Sequence, residues 1–349
     1  MEVLHVTSRK RETYDVQVKY SILFECALGI AAITNTRLID TLEKSRNEWE
    51  EMRQSVSVEM QEHLHFVEKH NTWKALLQLL YQEDFQDLYE FTQYINLLSE
   101  FELKYICIPF VGYKYEEKRK NAANGGMEAV QELQEVTSSN PFFPAYIEFI
   151  CKVDIQLLKE HLIAVMTGWY EAVIEPEVEK LSRILKQDYK TKCEMKEKMQ
   201  AEEFVEWATG GVTYFPEPSV YHVLLIPQYT YRPWNIEADI EGTKIFHYPI
   251  ANESIHPEDP YEPSYFLVHK HKALGDEARL RIVKLLFEQD RTLQEITEQL
   301  NLGKSTVHHH LKILRSAKLV DIQGAKYTLK KKMVEAISKE LEIYLTRSL

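Results

Sequence analysis

Cysteine is scarce in this sequence. It occurs four times in 349 residues, at Cys26, Cys107, Cys151 and Cys193. The four are far apart, with no CxxC pair and no histidine at zinc-ligand spacing. That pattern argues against a disulfide framework and against a structural zinc site, and leaves free thiols in a reducing compartment. Long apolar runs are missing as well: none reaches the ~18 residues that span a bilayer. Met1 to Lys19 mixes charges with isolated apolar residues and holds no block that would serve as a signal peptide. A cytoplasmic chain with no membrane partner is therefore expected. Clustered glycine is rare, confined to Asn124-Gly125-Gly126 and Gly210-Gly211, and both read as turns. No Gly-rich dinucleotide loop, nucleophile elbow, HExxH or internal repeat is present. Catalysis has no positive signal, and no cofactor or metal is expected.

What the sequence does have is an uneven charge. The chain as a whole carries a net −12. Residues 264–349 hold 16 lysines and arginines against 10 aspartates and glutamates, a net +6. The remainder holds 26 against 44, a net −18. An acidic protein with a basic end suggests a division of labour, the basic end being suited to a polyanion.

Hydrophobic periodicity predicts a mainly α fold with small β elements. Tyr14, Val16, Val18 and Tyr20 alternate with polar residues, so the stretch Glu2–Tyr20 is expected to hold one or two strands. Helical stripes follow: Trp73, Leu76, Leu77 and Leu80, then Leu158, Leu162, Val165, Met166 and Trp169. Pro176 stands where a further helix could start. Val220–Ile226 is a buried-strand run, and Thr243–Tyr248 is a second, with a loop containing Pro233 and Gly242 between them. Residues 1–251 are thus expected to form a large, acidic, mainly helical region with a small sheet, serving regulation or dimerisation. Residues 252–263, rich in Pro, Glu and Asp, are expected to be a linker, and residues 264–349 a separate domain.

In that last domain three helical segments come in quick succession. Asp276 can cap a helix whose apolar face is Leu280, Val283, Leu286 and Phe287. Thr292-Leu-Gln-Glu295 is a capping box opening a second helix, which ends at Asn301-Leu302-Gly303. A third, about 305–317, buries Val307, Leu311 and Leu314. Helix, short turn and helix is the helix-turn-helix arrangement. Outward from the third helix point Lys304, Ser305, Thr306, His308, His309, Lys312 and Arg315, none of them acidic. Ser, Thr and His can reach base edges in the major groove of double-stranded DNA, and Lys and Arg can reach phosphate or guanine. A hairpin wing follows, Leu319–Ile322 and Lys326–Leu329, with Gln323 and Lys326 near its tip. The final helix (Met333, Ile337, Leu341, Tyr344, Leu345) has more apolar surface than a small domain can cover, so it is a candidate dimer seam.

The stretches "LGDEARLRIVKLL" and "TLQEITEQLNLGKSTVHHHLKILRSAKLV", with the short wing before "YTL", resemble the arsenic-repressor (ArsR) family of bacterial winged helix-turn-helix regulators. The resemblance covers about residues 264–349. It implies a homodimer reading a two-fold operator, with Lys304, Ser305, His308 and His309 facing the groove, and with repression as the expected outcome. His308 stands where the family often has Ser, so the base preference does not carry over. The founding members sense metal through a cysteine-containing box on the helix before the reader. Here that helix reads "TLQEITEQL", and the terminal helix offers no zinc-sensing His/Asp pair. The effector is unknown from sequence.

Other signals are weaker. Gly303-Lys304-Ser305-Thr306 looks like the end of a phosphate-binding loop, but Glu298 stands where its first glycine belongs. Successive residues on a helix point ~100° apart, so His308, His309 and His310 cannot converge on one ion. Glu62, His63, His65, Glu68 and His70 do not share one helix face. Two alternatives to a regulator stay open: an enzyme, or a protein-interaction module, in residues 1–251 with the winged helix as an ancillary anchor.

Overall fold

The computed structural model describes residues 13–257, 259 and 261–346. The chain is mainly helical with small sheets, and it divides into two compact units. The first is made of residues up to Glu202 together with Phe215–Pro249, and the second of Glu203–Tyr214 together with Ile250 onward. The portion of the Glu2–Tyr20 expectation that falls on residues 2–12 lies outside the described residues.

In the first unit the helix Ile22–Thr34 (ILFECALGIAAIT) is buried on every side and apolar apart from Glu25 and Thr34, which suits a helix surrounded by others. Ser21 caps it, accepting a hydrogen bond from the Leu23 N–H at 3.2 Å. The helices Val58–His70, Trp73–Leu80 and Ile155–Trp169 pack against it. Leu158, Leu162, Val165, Met166 and Trp169 are all buried, as their spacing predicts. After Trp169 the helix widens into a π-helical turn, Tyr170–Ile174, followed by a 3₁₀ turn at Glu175–Glu177 and the long helix Val178–Lys196.

A four-stranded sheet completes this unit in the order β1 (Asp15–Val18), β2 (His222–Gln228), β4 (Thr243–Pro249), β3 (Ile236–Ile240). The pairs β1–β2 and β2–β4 are parallel, with Val16 opposite Val223 and Leu225 opposite Phe246. Six consecutive residues of β2 are buried, which explains its unbroken apolar run: an inner parallel strand is covered on both faces. Strand β3 is antiparallel to β4 at the sheet edge, through a turn at Gly242, where φ is +70°. It lies inside what the sequence suggested was loop. Of its residues only Ala238 is buried, so it carries little hydrophobic signal.

The second unit holds the helices Tyr265–Leu274, Glu277–Glu288, Leu293–Leu300, Lys304–Ser316 and Lys331–Thr346. A three-stranded antiparallel sheet accompanies them, ordered β5 (Arg291–Thr292), β7 (Lys326–Leu329), β6 (Val320–Gln323). Ile282, Leu286, Ile296, Val307, Leu311, Leu314, Leu319 and Ile337 form its core. One expected face needs correcting. Leu280 and Phe287 are half exposed, while Ile282 and Leu286 do the packing and Val283 lies alongside. Of the four residues expected on that face, Val283 and Leu286 pack inward, and the core takes Ile282 where Leu280 and Phe287 turn outward.

The stretch 252–263 contains one helical turn, Asn252–Ile255, and Asn252 Nδ2 donates to Glu262 Oε1 and the Pro263 carbonyl. Glu203–Tyr214 packs into this second unit. Gly210 has a φ of +69°, and a Cβ there would lie 2.1 Å from the Phe266 ring. Lys330 Nζ donates to the Gly211 carbonyl at 2.7 Å.

Candidate nucleic-acid interface

The reader element begins with a stop and a start. Thr292 and Glu295 form a reciprocal capping box: the Glu295 N–H donates to Thr292 Oγ1 at 3.3 Å and the Thr292 N–H to Glu295 Oε2 at 2.6 Å. The Thr292 N–H, together with the Thr292 hydroxyl donating to the same oxygen at 2.9 Å, holds the Glu295 carboxyl below its ordinary range. The helix they open ends at Asn301, which adopts the left-handed conformation (φ 51°) that asparagine tolerates better than most residues. Three residues later the helix Lys304–Ser316 starts, one residue earlier at each end than its periodicity predicts.

Val307, Leu311 and Leu314 pin that helix to the core and are essentially fully buried. Their spacing fixes what faces out. Lys304, Ser305, Thr306, His308, His309, Lys312 and Arg315 are all exposed, as expected for each. His310 is half-buried, with Nδ1 3.9 Å from Asp276 Oδ1, the carboxylate that caps Glu277–Glu288. It belongs to the scaffold side of the helix.

Gln323 and Lys326 face each other across the wing tip, with Gly324 at a φ of +62° making the reversal. Both are exposed. Thr292 pairs with Lys326 on the other side, so the wing is braced by β5, a two-residue strand too short to register in the sequence. Among the described residues, none of Lys304, Lys312, Arg315 and Lys326 forms an ion pair within the chain. Their charges are available to an outside partner. Asp321 lies near the wing, but it meets Lys330 at 3.7 Å.

Sequence reasoning missed the contribution of Glu203–Tyr214 to this unit. The available signal was Gly210-Gly211, two consecutive residues with positive φ, whose packing partner lies over fifty residues away. Among the described residues no three His, Cys, Asp or Glu side chains are placed to hold a metal ion, and no helix is long and apolar enough to cross a membrane.

A helix pair with a three-residue turn, an outward polar reader face and a braced hairpin beside it constitute a winged helix-turn-helix. The model of the family described as "Bacterial regulatory protein, arsR family" matches residues 276–321, so the C-terminal region carries an ArsR-type helix-turn-helix. Over 49 residues the chain is 39% identical to the transcriptional repressor SdpR of Bacillus subtilis (strain 168). That alignment takes in 14% of this chain and 54% of the relative, so the chain spans about half the length of the curated relative it matches. No solved structure matches the chain significantly.

Proposed function

We propose that the protein is a sequence-specific, double-stranded DNA-binding transcriptional regulator of bacterial type, acting in the cytoplasm as a repressor. The carrying observation is the exposed face of Lys304–Ser316. It holds seven hydrogen-bonding side chains, includes no acid, and has cations that form no ion pair among the described residues. In this reading the N-terminal turn of that helix enters the major groove. Ser305, Thr306, His308 and His309 meet base edges there, while Lys304, Lys312 and Arg315 meet phosphates or guanine. Gln323 and Lys326 reach the flanking backbone from the wing.

Two copies would read a two-fold operator. The end of Lys331–Thr346 supports this: Leu345 is 71% exposed, an apolar side chain that a second copy could cover. The acidic remainder is the regulatory and dimerisation region, and its charge suits it poorly to touching DNA itself. The matched relative is a named transcriptional repressor, which favours repression as the outcome.

The deciding experiment is genome-wide mapping of bound sites, followed by binding of the full chain to one recovered promoter fragment across salt concentrations. Affinity should fall linearly on a log–log plot, with a slope of about −0.9 per neutralised phosphate. Affinity that does not change between low and physiological salt would remove the protein from the DNA-binding class.

A further inference from the structure

The second unit contains a cavity of about 470 Å³, and every residue that lines it belongs to that unit. Its size falls within the roughly 300–1,000 Å³ of small-molecule sites. Two helical faces supply most of the wall. Glu203, Glu206, Trp207 and Gly210 follow one another at i, i+3, i+4 and i+7, whereas Phe204, Val205 and Ala208 take the buried side of that stretch. From Lys331–Thr346 come Met333, Ala336, Glu340 and Tyr344, again in steps of three and four. Phe266 joins them from Tyr265–Leu274, and Glu253 from the turn Asn252–Ile255.

Much of this wall is apolar and aromatic. Trp207 lines the cavity and yet is 39% exposed, so the chain leaves a large part of that indole uncovered. Ring faces of Trp and Tyr carry partial negative charge and attract cations.

The ionised groups are one-sided in the same sense. Four carboxylates line the cavity, those of Glu203, Glu206, Glu253 and Glu340, against one ammonium among the described residues, that of Lys270. Lys270 is buried and its Nζ meets Glu340 at 2.6 Å, which cancels one of the four. Among the described residues the other three carboxylates form no ion pair and no side-chain hydrogen bond. Glu253 Oε2 is buried without a hydrogen-bond partner, so nothing within the chain offsets that charge. A cation in the cavity would offset it through space, without having to reach that oxygen. An anion would be repelled there, and a neutral body would gain from the rings alone.

We propose that this cavity binds an organic ammonium ion with an apolar body. The body packs against Trp207, Phe266 and Met333, and the cation sits among Glu203, Glu206 and Glu253. The proposal stands independently of the DNA reading.

The test titrates the full chain with phenylbutylamine and tryptamine, and with the alcohol and the carboxylate of matching skeleton, by calorimetry and ligand-observed NMR. At least one amine should bind, one per chain, at least threefold tighter than its alcohol, with the acid weakest. The triple variant Glu203→Gln, Glu206→Gln, Glu253→Gln should weaken the amine roughly three- to a hundredfold and leave the alcohol unchanged. Glu335→Gln, on the exposed side of Lys331–Thr346 and away from the cavity, should change neither. Ala336→Phe, which fills the space, should abolish binding of both. If the triple variant unfolds, the native chain gives a second measurement: raising salt should weaken the amine and spare the alcohol. Four outcomes overturn the proposal: no amine binds, amine and alcohol bind alike, the triple variant keeps the preference, or Ala336→Phe leaves binding intact.

Discussion

His308 and His309 stand on the exposed face of Lys304–Ser316, whereas Lys326 stands on the wing tip, and the two positions should fail differently. A side chain at a base edge discriminates between sequences; a cation at a phosphate does not. His308→Ala and His309→Ala should therefore relax preference at particular operator positions, by roughly 1–3 kcal/mol for a good base contact. Lys326→Ala should weaken all sequences alike and make the salt slope shallower by about one. Competition binding with single-base operator variants separates the two patterns. Unchanged selectivity in both histidine variants would take them out of the groove. These outward residues could be placed from sequence because the buried Val307/Leu311/Leu314 stripe leaves only one face for the rest. Gly210 could not be interpreted that way, since its partner Phe266 is adjacent in space but not in sequence. Gly210→Ala should destabilise the second unit: a Cβ would collide with the ring, and φ is positive there. A lowered unfolding midpoint by circular dichroism checks this.

At the level of elements, the reader helix depends on three side chains for its seating. Leu311 is 1% exposed, and Leu311→Ala removes a core side chain where the surroundings relax only partly. The expected loss is about 2–5 kcal/mol, read by urea unfolding. DNA affinity should return when the variant is measured under conditions that keep it folded; a loss that persists in fully folded protein would mean Leu311 acts beyond packing. The elements easiest to recognise in sequence were those with caps and wide stripes, such as Thr292–Glu295 and Leu158–Trp169. Elements with weak patterns escaped. Strand β3 buries only Ala238 and alternates with acids, and β5 is two residues long; Glu277–Glu288 was legible as a helix, but its core face takes in Ile282 and Leu286 while Leu280 and Phe287 face out. Periodicity names a face; contacts with other elements decide which face is used.

On the scale of the whole molecule, the charge division was visible in composition, but the architecture of the first unit was not. Strands β1 and β2 pair in parallel although some two hundred residues of helix separate them, and no local pattern encodes such a partner. The same long-range packing buries two imidazoles. His161 is held by Thr72 Oγ1 at 2.8 Å and His63 Nδ1 at 3.0 Å, and His247 by the Tyr81 hydroxyl at 2.8 Å. Burial pushes both pKa values down to about 3, with the imidazoles of His63 and His70 beside His161 and the Lys74 ammonium near His247 adding to the effect. In the unfolded chain an imidazole titrates near 6.5, so between about pH 6.5 and pH 3 the unfolded state binds more protons than the folded one. Stability from these groups is therefore complete above about pH 6.5 and is lost as pH falls toward 3. Glu25 acts in the opposite sense. Burial raises its pKa, against hydrogen bonds from Tyr229 and Thr230, so acidification relieves rather than adds a cost there. The two signs are told apart by substitution, since only the histidine contribution is removed by changing His161. The thermal midpoint of the full chain should be flat above about pH 7 and fall steadily down to pH 5. His161→Asn, which keeps a polar side chain without the titration, should remove part of that slope. A midpoint constant over the interval, or a slope that His161→Asn leaves intact, would show that these imidazoles are not buried in the neutral form.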